Sequence, residues 1–195
     1  MLNIELHSEP KWRTAMGAEV KVKELERIDE PYRTLIKVFL DELLKAHEQK
    51  LVSVAVFGSV ARGDYRRTSD IDVLIVMRNI RHRSRMRRYY MIIDAIESIE
   101  DMRVKISEMG IFTGVSPVIL DYEEAKYFRP LYIELVHDAV ILYDKDNFLT
   151  RLLKTLGRLL VEKYGAKREV MGRRWYWIFT RGNPLIDLCG VKLVE

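Results

Sequence analysis

Val54-Ala-Val-Phe-Gly-Ser-Val-Ala-Arg-Gly-Asp-Tyr-Arg-Arg-Thr-Ser-Asp-Ile-Asp-Val-Leu-Ile-Val76 is the stretch on which the reading of this chain turns. An apolar run enters Gly58-Ser59, a polar loop follows, and a second apolar run opens with Asp70 and Asp72. Residues two apart on a strand project from one face, so Asp70 and Asp72 stand side by side. Two carboxylates that close repel unless a cation lies between them or one takes up a proton. Hard oxygen ligands on a rigid strand suit Mg²⁺, which keeps water and substrate phosphate in its shell. Gly58 lets the backbone come close to a ligand, and Ser59 offers a hydroxyl to a phosphate oxygen. A short helix starting here would add free N–H groups. Arg62, one turn on, either reaches phosphate or pairs with an acid. Taken singly, Gly-Ser and Asp-x-Asp are ordinary hairpin punctuation and surface acids. In this order, with a strand-like run on each side, they point to a site for a metal-bound polyphosphate.

The stretch resembles the nucleotidyltransferase superfamily typified by DNA polymerase beta, and within it the small stand-alone prokaryotic members. The residues that carry the resemblance are Gly58-Ser59, Ala61-Arg62-Gly63 and Ser69-Asp70-Ile71-Asp72, within residues 51–78. The resemblance implies an α+β fold, a mixed β-sheet flanked by helices. It implies Mg²⁺ at Asp70 and Asp72, two ions in the usual case, with Mn²⁺ as a substitute. Gly58, Ser59, Arg62 and Ser69 would then hold the nucleotide, and the activity implied is transfer of an NMP group from an NTP to an acceptor, a protein among the candidates. Small members of this family also act as antitoxins of a separate all-helical ribonuclease toxin, some by attaching AMP to it. The alternative implied is therefore an interaction protein with weak or no transfer activity.

Family members usually carry a third carboxylate on a later strand. The next strand candidate here, Gly114-Val-Ser-Pro-Val-Ile-Leu-Asp121, has no acid at its middle positions Ser116, Pro117 and Val118. Pro117 marks an edge or a bulge, because it cannot donate to a ladder. Asp121, at the strand's end, is the candidate third acid. It is equally placed to cap a helix from Tyr122, with Glu124 in capping-box position.

The whole chain sets the bounds. Its 195 residues fit one domain or a domain with a small appendage. The expected division is an N-terminal helical segment over 1–30, a core over 31–145, and a C-terminal helix with an aromatic strand or hairpin over 146–195. Hydrophobic residues make up 48% and suffice for a core, while 32% are charged with both signs interspersed, a mixture common in thermophile proteins. The single cysteine, Cys189, rules out an internal disulfide and fits a reducing compartment. Neither a membrane-length apolar run nor a signal-peptide pattern is present, so the expected location is cytoplasmic, with no membrane partner.

Net charge is +4, but its distribution matters more. Arg78, Arg81, Arg83, Arg85, Arg87 and Arg88 crowd together directly after the second apolar run. They form either a basic rim for triphosphate, nucleic acid or an acidic partner, or a solvated helix start paired with Glu97, Glu100 and Asp101. Nucleic-acid modification finds its only support in this cluster.

Apolar spacing predicts helices over 31–48, 84–99, 122–137 with a break at Pro130, and 148–164. Strands are expected over 51–57, 70–77, 111–120 and 139–143, with a shorter one at Val104–Ile106. Trp12 and Met16 are spaced to dock as a helical turn. Over 172–180, Trp175, Trp177 and Phe179 share one face of a strand. That face serves as a platform for a base, as an oligomer contact, or as packing against the chain's own domain.

Overall fold

The computed structural model describes residues 22–81, 83–171 and 174–195. The expected docking of Trp12 and Met16 falls outside the described residues. The two apolar runs of the opening stretch are the central strands, β1 (Leu51–Phe57) and β2 (Ile71–Met77). With β3 (Val115–Asp121) and β4 (Val140–Asp144) they form a four-stranded sheet in the order β3-β2-β1-β4. β1 runs antiparallel to β2 and β4, and β2 runs parallel to β3, so the sheet is mixed. Every residue of β1 is buried, and in β2 only Asp72 is not. Strands apolar on both faces need cover on both, and both faces are covered. β3 is an edge strand, which accommodates Pro117.

One face packs on α2 (Tyr32–His47), which follows the short α1 (Val22–Leu25). Leu35, Ile36, Phe39, Leu40 and Leu43 of α2 meet Val54, Val56, Val73 and Ile75 there. The other face packs on α8 (Leu131–Asp138) and α9 (Phe148–Glu162). Leu149, Leu152, Leu156 and Leu160 of α9 join Leu74, Val76 and Ala55 in that second core. Burying each such leucine contributes about 1.5–3 kcal/mol. Asp144 ties α9 to the sheet, accepting from the Ser53 hydroxyl at 2.8 Å and from the Leu149 and Thr150 N–H groups.

α3 (Gly58–Arg62) turns the chain from β1 into the polar loop before β2. After β2 the structure departs from sequence expectation. The helix expected over 84–99 is two short helices, α4 (Arg85–Tyr90) and α5 (Ile93–Glu97). Ser84 caps α4 by accepting the Arg87 N–H at 3.3 Å. The strand expected at Val104–Ile106 is instead part of the helix α6 (Glu100–Ser107). Two β-branched residues flanking a lysine imitate strand alternation, yet Ile106 is buried and Val104 is 54% exposed. A helix can bury one of the pair and leave the other in solvent.

Asp121 caps α7 (Tyr122–Ala125), and Pro130 precedes α8. The C-terminal region is a two-stranded antiparallel hairpin, β5 (Lys167–Met171) and β6 (Arg174–Ile178), followed by α10 (Pro184–Asp187). The rings of Trp177 and Phe179 stack with centroids 6.4 Å apart and pack against the α8–α9 core. For these two rings, packing on the chain's own domain is what the structure shows.

Candidate functional site

β1 ends where β2 begins, because the two strands are antiparallel neighbours and Phe57 pairs with Asp72. That pairing brings Gly58 against the Asp72 carboxylate. A Cβ on Gly58 would lie 2.4 Å from Asp72 Oδ2, and the backbone φ there is +73°. Glycine alone satisfies both the close approach and the left-handed conformation. α3 opens at Gly58, so the N–H groups of its first turn, which have no intrahelical acceptor, start beside the carboxylate.

On its other side Asp72 meets β3. The parallel register sets Ser116 opposite Asp72, and the Ser116 hydroxyl donates a hydrogen bond to the carboxylate. Asp70 lies just before the strand and accepts the Gly114 N–H at 2.8 Å. The two aspartates are close enough to interact electrostatically. Burial raises the Asp72 pKa above the ordinary carboxyl range, and the negative charge of Asp70 pushes the same way. The Ser116 hydrogen bond and the positive charge of Arg62 oppose this rise without cancelling it. A hard divalent ion fits the oxygen donors of a partly buried carboxylate with a like-charged neighbour. Among the described residues no cluster of three or more His, Cys, Asp or Glu side chains could hold a metal. The donor set is therefore a carboxylate pair beside a serine.

Ser59 lies on α3 directly after Gly58. Its carbonyl accepts the Asp64 N–H at 3.1 Å, which closes the α3 turn. The Ser69 hydroxyl accepts the Arg66 N–H at 2.9 Å and so closes the loop that delivers Asp70. Arg62 is near enough to lower the Asp72 pKa but is held by acids. Its guanidinium contacts Asp64 at 3.2 Å, Glu134 at 3.1 Å and the buried Asp138 at 3.5 Å. Of the two roles open to Arg62, pairing with acids is therefore the one seen.

Asp121 is not brought to this site. The register pairs it with Met77, five positions along β2 from Asp72. At about 3.3 Å per residue that is about 16 Å away. Both its oxygens are engaged: Oδ2 accepts the Ile80 N–H at 2.8 Å and Oδ1 the Glu123 N–H at 3.0 Å. With Glu124 accepting the Asp121 N–H, the capping box is complete. The third-acid expectation is corrected on position: a parallel strand runs the same way as its neighbour, so its C-terminal end lies far from the N-terminal end of β2. The residue that β3 presents to Asp72 is Ser116.

Glu134, Asp138 and the Gly114 N–H escaped the sequence reading. Glu134 and Asp138 are four apart on α8, a spacing that puts both on one face. Nothing local says that this face meets α3. Asp138 also lies 3.6 Å from Arg168 of β5, which links the C-terminal hairpin to the Arg62 cluster. No described helix is long and apolar enough to cross a membrane.

Comparison with known proteins shows which sequences the chain resembles. The family model "Nucleotidyltransferase domain" matches residues 36–128, a span that includes Gly58, Asp72 and Ser116 and ends before α8. A Methanocaldococcus jannaschii protein named as a candidate protein adenylyltransferase, MJ1305, is 30% identical over 128 residues, covering 63% of this chain and 81% of that protein. A crystal structure of a candidate nucleotidyltransferase from Sulfolobus solfataricus is 28% identical, covers 62% of this chain and 83% of its own, and superposes with a TM-score of 0.38. A toxin–antitoxin structure with AMP-PNP is 18% identical, with 64% and 89% coverage and a TM-score of 0.39.

Proposed function

We propose, from the premise that this chain belongs to the nucleotidyltransferase family, that it transfers an NMP group from an NTP to a hydroxyl of a protein acceptor. The single observation that carries the reading is the contact of Gly58 with Asp72, beside Asp70, at the meeting of β1, α3 and β2. The acceptor hydroxyl gives up its proton to solvent as its oxygen forms a bond to the α-phosphorus, the α–β phosphoanhydride bond breaks, and pyrophosphate leaves. The relative named as a candidate protein adenylyltransferase favours AMP as the group and a protein as the acceptor.

Asp70 and Asp72 would hold Mg²⁺, which when bound supplies charge to neutralise the phosphate oxygens during an in-line displacement. Asp72 contributes a carboxylate whose burial favours a bound cation over solvent. Asp70 is fixed by the Gly114 N–H, so its position does not depend on the ligand. Gly58 leaves room for the Asp72 carboxylate against α3, and Ser59 and the first-turn N–H groups of α3 donate to the phosphate oxygens. Ser69 holds the loop shape, and Arg62, tied to α8, contributes a fixed positive charge near Asp72.

Incubation with NTPs labelled at the α-phosphate, Mg²⁺ and extract of the source organism tests the reading. The expected result is a labelled protein band that is strongest with ATP and absent with Asp70→Asn/Asp72→Asn. Equal labelling by that variant would overturn it. A separate all-helical toxin is the narrower form of the acceptor, and co-purification of such a chain from the source organism is the outcome that would support it.

A further inference from the structure

At the opposite end of β2 from Asp72, the chain builds a cavity of about 690 Å³ lined by Arg78, Arg81, Arg83 and Arg87, with Tyr122 at its side. Arg78 is six positions from Asp72, which puts this cavity about 20 Å from the aspartate pair along the strand. The arginine cluster therefore cannot serve as the triphosphate rim of the first site. Nor do the acids of the neighbouring helices neutralise it. Glu100 pairs with Arg103, and no carboxylate lies within ion-pair distance of these four guanidinium groups among the described residues. The acids that do line the cavity are already engaged. Asp121 accepts two backbone N–H groups, and Glu123 holds Lys126 at 2.9 Å.

The loop that carries the arginines is held from beneath. Arg88, only 8% exposed, donates to the carbonyls of Arg83, Arg81 and Ile119 at 3.0–3.2 Å and makes a two-pronged pair with Glu124. The buried guanidinium thus binds the loop backbone and leaves the other four at the cavity. Tyr122 gives little room for stacking a base: the Arg78 guanidinium lies 3.9 Å from its ring centroid, the Lys126 ammonium 4.5 Å and the Phe148 ring 4.8 Å.

We propose that this cavity is a second ligand site that takes a chain of phosphates, either a free polyphosphate or the 5′-polyphosphate end of a nucleic acid. Guanidinium groups around one concavity, with no ion pair among the described residues, repel each other, and an anion with several oxygens in a row relieves them together. The size of the cavity suits a small molecule better than a lone ion. Recognition runs through charge and forked hydrogen bonds, since Tyr122, the one ring among the described lining residues, is covered.

The test is calorimetry of the full chain with inorganic tripolyphosphate in EDTA, so that the Asp70–Asp72 site lacks its cation. Binding is expected, at least tenfold weaker in Arg81→Gln/Arg83→Gln/Arg87→Gln and unchanged in Asp70→Asn/Asp72→Asn. The charge-conserving Arg81→Lys/Arg83→Lys/Arg87→Lys should fall between wild type and the glutamine variant. A 5′-triphosphorylated oligonucleotide that binds tighter than tripolyphosphate assigns the site to nucleic-acid ends, and equal affinity assigns it to free polyphosphate. Any of three results overturns the proposal: no binding by the wild type, full binding by the glutamine variant, or equal binding of the oligonucleotide without its phosphates. Because no transfer is measured and no metal is present, this outcome is independent of the reading of the first site.

Discussion

Gly58→Ala tests the geometry of the aspartate site directly. Two costs add at this position. An L-residue at φ +73° carries about 1–2 kcal/mol of left-handed strain. The new Cβ would also stand 2.4 Å from Asp72 Oδ2, so the carboxylate must rotate away from Ser116. Losing a hydrogen bond to a charged acceptor costs about 1.5–3 kcal/mol more. The sum, about 2.5–5 kcal/mol, is measured by urea unfolding. Gly63 supplies the control: its φ is +78° and a Cβ added there would meet nothing within 4 Å, so Gly63→Ala should cost only about 1–2 kcal/mol. A double-mutant cycle separates the two costs. In an Asp72→Ala background the clash has no partner, and Gly58→Ala should fall to about 1–2 kcal/mol, a coupling of about 1.5–3 kcal/mol. Equal costs at Gly58 and Gly63, or a Gly58→Ala cost that Asp72→Ala leaves unchanged, would refute the reasoning.

Ser116→Asp places a third carboxylate opposite Asp72. Without metal the melting temperature should fall through like-charge repulsion, and millimolar Mg²⁺ should restore it; a metal-insensitive melt counts against a cation at Asp70 and Asp72. Asp121→Ala removes the cap of α7 and the acceptor of the Ile80 N–H, a loss of about 1–3 kcal/mol in urea unfolding, while Mg²⁺-dependent nucleotide binding stays intact. Loss of that binding in a folded variant would return Asp121 to the site. Arg88 holds the Glu124 carboxyl below its usual range, and the Asp121 N–H acts in the same direction. A folded pKa below the unfolded one means that this stabilisation is present above about pH 4.3 and is lost as pH falls through the folded value. Stability curves of wild type and Glu124→Gln should therefore converge in acid, and parallel curves would exclude the linkage.

Much of the fold was legible because its signals are local. β1 and β2 are apolar runs interrupted only by Ser53 and Asp72, and α2 and α9 repeat leucine and its equivalents at helical spacing, so each segment's type follows from which of its own faces must leave water. The capping role of Asp121 was legible for the same reason, as its bond to the Glu123 N–H closes within three residues. The region 84–107 was not. Three short helices with breaks between them look like one helix and a strand when only spacing is available.

The aspartate site divides along the same line. Side-chain alternation and the Gly-Ser turn are properties of a few neighbouring residues, so the placing of Gly58 near an acidic strand start could be expected without coordinates. Strand direction and register are not local. That β3 runs parallel to β2, with Ser116 at Asp72 and Asp121 at Met77, follows from the crossover through α4, α5 and α6 and from which apolar face each strand buries. The same long-range packing hands Arg62 to Glu134 and Asp138 on α8, and sets the arginine loop at the far end of the sheet from the carboxylates it follows in sequence. A strand of seven residues separates its two ends by about 20 Å, so the short chain distance between Asp72 and Arg78 became two separate places on the molecule.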